Sequence, residues 1–262
     1  MNINNLGLLN SLSFILNEGI KDSDYAIAVY LVENINRASE VSINEIIDET
    51  FTSRSAVRRF CNRLGYSNFS DLKESITKMI FPSNLQYRSQ VDLLNHRKVL
   101  NELIFQMIED IDEMFSVNIV EEIIDLLFNH KDVILLCANN TSGDLIRFQQ
   151  ELIYGNKEIK IVSKAYTNNE NIKSLSEESL IIVVSASGKF AEIANDWLNH
   201  LKGKKVLITA YRNQSFFEQY HHVFYISKNS FSSDYLGIYG KYGIVYIFDL
   251  IFSSYLSKYK KG

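Results

Sequence analysis

Before Pro82 the apolar positions recur at helical spacing; beyond residue 130 they gather into short unbroken runs. Asp22 to Ala38 carries Tyr25, Ala28, Val29, Val32 and Ile35 at helical spacing. Ser42 is placed as an N-cap, and Glu45 three residues on completes a capping box. The helix it opens carries Ile43, Ile46 and Ile47. Phe51-Thr52 makes a short break. Ser53 caps the next helix, which lines up Val57, Phe60, Cys61 and Leu64 and stops at Gly65. A further helix runs from about Ser70 toward Ile80. Two short helices joined by a tight break, with another helix before them, form the helix-turn-helix pattern.

The polar, weakly periodic stretch from Pro82 to Asn95 predicts a linker. The expected division is a helical domain at 1–80, a linker at 81–95 and a second domain at 96–262. The second domain starts with helices near Val99–Phe115 and Asn118–Phe128. Apolar runs follow at Val133–Ala138, Ile159–Val162, Leu180–Ser185, Val206–Thr209 and Val223–Ile226, with helical stretches between most of them. Runs apolar on both faces, alternating with helices, predict a parallel sheet of five strands covered on both sides. A last helix, about Tyr239 to Tyr259, is rich in aromatics. Its spacing predicts packing against the sheet or a partner subunit.

Composition narrows the class. Apolar residues make up 46% of the 262, so a full core is within reach. The net charge of −4 excludes a uniformly basic nucleic-acid coat but permits a local basic patch. Two cysteines, Cys61 and Cys137, exclude a disulfide framework and a four-thiolate zinc site. The apolar runs are strand length, short of a membrane span, and the N-terminus lacks a basic signal-peptide region. A cytoplasmic protein is expected. His200, His221 and His222 are expected at the surface or in packing, because neighbours on a strand point to opposite faces. No metal and no cofactor is expected.

Charge placement gives the helix-turn-helix a chemistry. From Ser53 to Leu64 there are four arginines, Arg54, Arg58, Arg59 and Arg63, and no acid. At about 100° per residue, Ser55, Arg58, Arg59 and Asn62 fall opposite the apolar stripe, with Arg54 and Arg63 at its flanks. Serine and arginine near the start of an exposed helix suit base edges in a major groove, and the other arginines suit phosphates. The candidate DNA-contacting residues are Ser53, Arg54, Ser55, Arg58, Arg59 and Arg63. The alternative is a solvated basic face.

The second domain offers a different chemistry. Two loops follow strands and open helices: Asn139 to Gly143 and Ser185 to Lys189. Hydroxyls and free N–H groups at a helix N-terminus bind anions, phosphate above all. Ligands of parallel sheets sit outside the carboxyl ends of the strands, where both loops and Thr209 fall. The candidate effector residues are Thr141, Ser142, Ser185, Ser187, Gly188, Lys189 and Thr209. Simple helix capping is the alternative.

Val41 to Lys73 resembles the N-terminal domain of RpiR/MurR-type transcriptional regulators. The match rests on Arg59-Phe60-Cys61, Leu64-Gly65-Tyr66 and Phe69-Ser-Asp-Leu-Lys73, in order and spacing. Ala56 departs from a threonine usual there. The resemblance implies a second, sugar isomerase (SIS) domain over about Leu94 to Leu256. Ser185-Ala-Ser-Gly188 is similar to that domain's Ser-x-Ser-Gly phosphosugar motif. Thr141 falls where the first loop places its serine, Asp249 matches a family aspartate, and Lys241 stands for an arginine. Cys137 and Asn139 replace two family glycines of the first loop, and Lys189 stands for a threonine.

The resemblance therefore implies a regulator of carbohydrate metabolism genes rather than an enzyme. Its expected partners are a palindromic double-stranded DNA operator, a phosphorylated sugar or related anion, and further copies of itself as a dimer or tetramer. The altered first loop leaves open a domain that only dimerises. A phosphosugar isomerase with an accessory helical domain is the reading from another class.

Overall fold

The computed structural model describes residues 8–37, 40–77, 92–163, 170–229 and 233–260. The chain divides into two compact units, 1–80 and 81–262. Most of the polar stretch expected as a linker lies outside the described residues. Its last three residues, from Leu93, already belong to a helix.

Among the described residues the first unit holds five α-helices: α1 (Leu8–Glu18), α2 (Ser23–Glu33), α3 (Ile43–Thr50), α4 (Arg54–Arg63) and α5 (Phe69–Thr77). Each start follows from its cap. Asp22 accepts the Tyr25 N–H at 2.9 Å. Ser42 and Glu45 make the reciprocal capping box at the head of α3. Ser53 accepts the Ala56 N–H at 3.2 Å. Gly65, at φ +87°, closes α4: its N–H donates to Asn62 O, and the Tyr66 N–H donates to Cys61 O. That pair of bonds is a Schellman closure, which needs a left-handed residue at this point. Leu12, Ile27, Leu31, Ile46, Val57, Phe60 and Cys61 form the centre of the core.

The second unit begins with α6 (Leu93–Met114) and α7 (Val117–Asn129). Then strands and helices alternate: β1 (Val133–Cys137), α8 (Asn139–Tyr154), β2 (Lys160–Val162), α9 (Glu170–Lys173), β3 (Leu180–Val184), α10 (Lys189–Leu198), β4 (Lys204–Thr209), α11 (Phe216–Gln219) and β5 (His222–Tyr225). All pairings are parallel, in the order β2-β1-β3-β4-β5. β1 and β3 are buried along their whole length, which explains their unbroken apolar sequence.

The last segment is α12 (Ser233–Ile238), a π-helical turn at Tyr239–Gly243, and α13 (Ile244–Tyr259). Leu236–Tyr259 is long and apolar enough to cross a membrane by length and composition. Its Ile244, Ile247, Phe248, Ile251 and Tyr255 are instead buried, and α13 packs on α7 and α8. Phe248 meets Phe148 with ring centroids 4.6 Å apart. The aromatic spacing thus serves the domain's own core.

Candidate nucleic-acid interface and anion site

The apolar stripe of α4 turns inward as Ala56, Val57, Phe60 and Cys61. Burial pushes the Cys61 thiol up to about 11, so it is an inert core residue. Ser55, Arg58, Arg59 and Asn62 are exposed on the opposite side. Neither Arg58 nor Arg59 forms an ion pair among the described residues.

The flanking arginines have work inside the unit. Arg54 donates to Asn44 Oδ1 at 2.8 Å and ties α4 to α3. Arg63 pairs with Asp24 at 2.9 Å and Glu18 at 3.5 Å, bracing α4 against α1 and α2. These pairs could not be read from spacing, because the acids lie 39 and 45 residues away in sequence. Ser53 is both cap and neighbour: its hydroxyl lies 2.9 Å from that of Ser55.

In the second unit the strand order places the topological switch between β1 and β3, which run side by side although β2 and α9 intervene in the chain. The two predicted segments follow these two strands, but Asn139–Gly143, expected as a loop, already forms the opening of α8. The two segments are brought together by the sheet register, which aligns Cys137 with Val184.

The Ser185–Gly188 loop is tightly built. Ser185 is buried; its N–H donates to Ile208 O at 3.0 Å and its hydroxyl accepts the Ala191 N–H at 3.3 Å. Gly188 sits at φ +74°, and a β-carbon there would come within 2.4 Å of the Tyr211 ring. The Gly188 carbonyl accepts the Glu192 N–H and opens α10. Ser187 is half-buried and its hydroxyl has no partner among the described residues. Lys189, the first residue of α10, makes no ion pair among them.

The other members differ in access. Thr209 is fully buried and its hydroxyl accepts the Tyr211 N–H at 3.1 Å, so it shapes the loop from beneath rather than facing a ligand. Thr141 and Ser142 are half-buried in the first turn of α8, where the Thr141 N–H donates to Ala138 O. The side chain of Asn139 lies outside the described residues. Cys137 is fully buried, with its thiol pushed up to about 12, and lines no open surface. Asp249 and Lys241 are exposed.

Two neighbours had no signal in the sequence. Asp144 is half-buried one turn into α8, and burial raises its carboxyl above the usual aspartate range. An acid in the opening turns of a helix suits the helix dipole, so its position alone was unremarkable. Gly240, in the π-helical turn, faces the Ser185–Gly188 loop: a β-carbon there would lie 3.7 Å from that of Ala186. Two of the three histidines noted in the sequence are held in structure. His222 meets Glu122 at 2.6 Å, and His221 Nδ1 accepts the Lys205 N–H at 3.0 Å.

Residues 7–82 match the helix-turn-helix domain of the rpiR family. No curated protein matches the chain by sequence. Among solved structures, the Vibrio vulnificus NanR protein complexed with ManNAc-6P is 14% identical, with a TM-score of 0.50. The likeness covers 95% of this chain and 92% of that one, and at this identity it speaks to the fold. The sugar isomerase domain of an RpiR transcription factor from Sphaerobacter thermophilus is 11% identical, covering 61% of this chain and 90% of its own, at a TM-score of 0.46. The MJ1247 protein from Methanococcus jannaschii, whose structure was reported to infer a 3-hexulose-6-phosphate isomerase function, is 12% identical over 63% of this chain and 90% of its own, at 0.46. Over residues 7–82, the N-terminal part of this chain is thus similar to the helix-turn-helix domain of the rpiR family.

Proposed function

We propose that this protein is a DNA-binding transcription regulator of carbohydrate metabolism genes, and that its α/β domain dimerises and senses a phosphorylated sugar. The observation that carries the reading is the exposed face of α4. Ser55, Arg58 and Arg59 stand together on a capped helix, opposite a buried stripe, with no acid on the helix. Arginine offers a planar fork of donors that suits guanine edges and phosphates. A paired α/β domain presents two such helices to a palindromic site. We place the protein in the cytoplasm, where such an operator lies.

The effector reading is supported by the loops at the switch point. Ser187 and Lys189 offer an uncommitted hydroxyl and an uncommitted positive charge at the start of α10. Asp144 places an acidic group one turn beyond Thr141 and Ser142, which favours the other segment for the anion. The phosphate is therefore assigned to the Ser185–Lys189 loop, with Thr141 and Ser142 toward the sugar. NanR, of similar fold, is complexed with ManNAc-6P.

Thermal unfolding against a panel of sugar phosphates, with the unphosphorylated sugars as controls, tests the effector. A ligand at 100 times its Kd adds roughly 2.7 kcal/mol to the folded state. A shift for one phosphosugar identifies it. No shift across a broad panel leaves a regulator that only dimerises, and turnover of a phosphosugar overturns the regulatory reading in favour of an isomerase.

A further inference from the structure

The break between α3 and α4 holds the most exposed large apolar residue of the described chain. Phe51 is 95% exposed, is not among the residues packed on the core of its unit, and its ring pairs with no other described ring. It also sits in the left-handed region, at φ 51° and ψ 37°. A bulky residue there is an outlier; glycine or asparagine fills such helix-ending positions without strain.

The backbone needs the left-handed turn. The Thr52 N–H donates to Ile47 O at 3.2 Å and closes α3. Nothing in the unit needs the phenyl ring. The side chain raises the free energy of the fold and gains no packing in return, which is the pattern of a residue kept for a contact outside the chain. Only Thr52 separates Phe51 from Ser53, the cap of α4.

In a helix-turn-helix the start of the second helix enters the major groove, so the turn before it lies at the groove edge. The apolar feature that base edges present there is the thymine C5-methyl group, and phenylalanine is one of the side chains that contacts it. We propose that Phe51 is a specificity residue that reads a thymine methyl beside the bases contacted by α4. This rests on the DNA-binding reading above.

The test uses the full chain. Duplexes are selected from a random-sequence library, and affinity is measured for the wild type, Phe51→Asn and Arg58→Ala. Each thymine of the selected duplex is then replaced in turn by uracil, which removes only the methyl. One uracil position is expected to weaken wild-type binding roughly fourfold, the worth of one methyl returned to water. Phe51→Asn is expected to bind the parent duplex about fourfold more weakly and to be indifferent to that uracil. Its unfolding midpoint is expected to stay level or rise, since asparagine tolerates the left-handed region. A Phe51 that was merely structural gives a lower midpoint instead. If every uracil affects wild type and Phe51→Asn alike while Arg58→Ala still weakens binding, the Phe51 role is overturned and DNA binding stands. If no duplex is enriched, DNA binding itself falls, and the Phe51 role with it.

Discussion

The hydroxyl of Tyr239 donates to a carboxylate oxygen of Asp110 at 2.6 Å, and both residues are almost wholly buried. The bond joins the π-helical turn to α6 across 129 residues of sequence. Asp110 also accepts from Gln106 at 3.0 Å, and the Lys228 ammonium stands 3.9 Å away. Burial, and then the adjacent carboxylate, raises the Tyr239 phenol far above its usual range. The phenol therefore stays protonated, and a donor, at neutral pH. Tyr239→Phe removes the shortest of these bonds and leaves a buried carboxylate under-satisfied. A loss of about 1–3 kcal/mol is expected, read by urea unfolding.

Arg58 and Arg63 lie on one helix and are expected to fail differently. Arg58→Ala is expected to weaken operator binding by about 1–3 kcal/mol with little change in stability. Arg63→Ala breaks the contacts to Asp24 and Glu18, so it lowers the unfolding midpoint slightly and spares DNA affinity. Equal losses of affinity in the two variants would return Arg63 to the interface.

Gly188 is expected to tolerate no side chain. Its φ of +74° strains any other residue, and the added β-carbon collides with Tyr211. Gly188→Ala is expected to destabilise the second unit by about 1–3 kcal/mol from the backbone alone, with the Tyr211 collision adding to it. By contrast, Ser187→Ala is expected to leave the midpoint unchanged and weaken phosphosugar binding. Retained binding there places the phosphate elsewhere.

Acid is expected to loosen the first unit through Glu45. The Tyr30 hydroxyl, at 2.6 Å, and the Arg37 guanidinium, at 2.7 Å, hold its carboxyl below the ordinary 4.5. A carboxyl lowered by folding stabilises the fold above its unfolded value, and that stabilisation is lost as pH falls through the folded value. The midpoint of wild type is expected to exceed that of Glu45→Gln at pH 7, with the gap closing below about pH 4. A gap that persists in acid assigns the effect to packing.

Much of this was legible in the sequence because it is local. The capping box at Ser42 and Glu45, the stop at Gly65 and the five apolar runs are set by residues a few positions apart, and all are present in the structure. The face of α4 was legible for the same reason. What escaped was the partner of each residue. The pairing of Arg63 with Glu18 and Asp24, the cover over Thr209 and the meeting of Gly240 with Ala186 arise only when distant segments pack. The π-helical turn was also hidden, since its residues continue an ordinary helical stripe.

That turn carries one residue more than regular helical winding accommodates. Removing one residue between Tyr239 and Gly243 is expected to restore plain α-helical winding there and to abolish the widened turn. The buried stripe of α13 would be kept. Tyr239 and Gly240 would no longer both reach their stations, one on Asp110 and the other on Ala186. The surplus residue is thus a phase adjuster between two obligations of a single helix. Its length in residues, more than their identity, is what an insertion or deletion there would test.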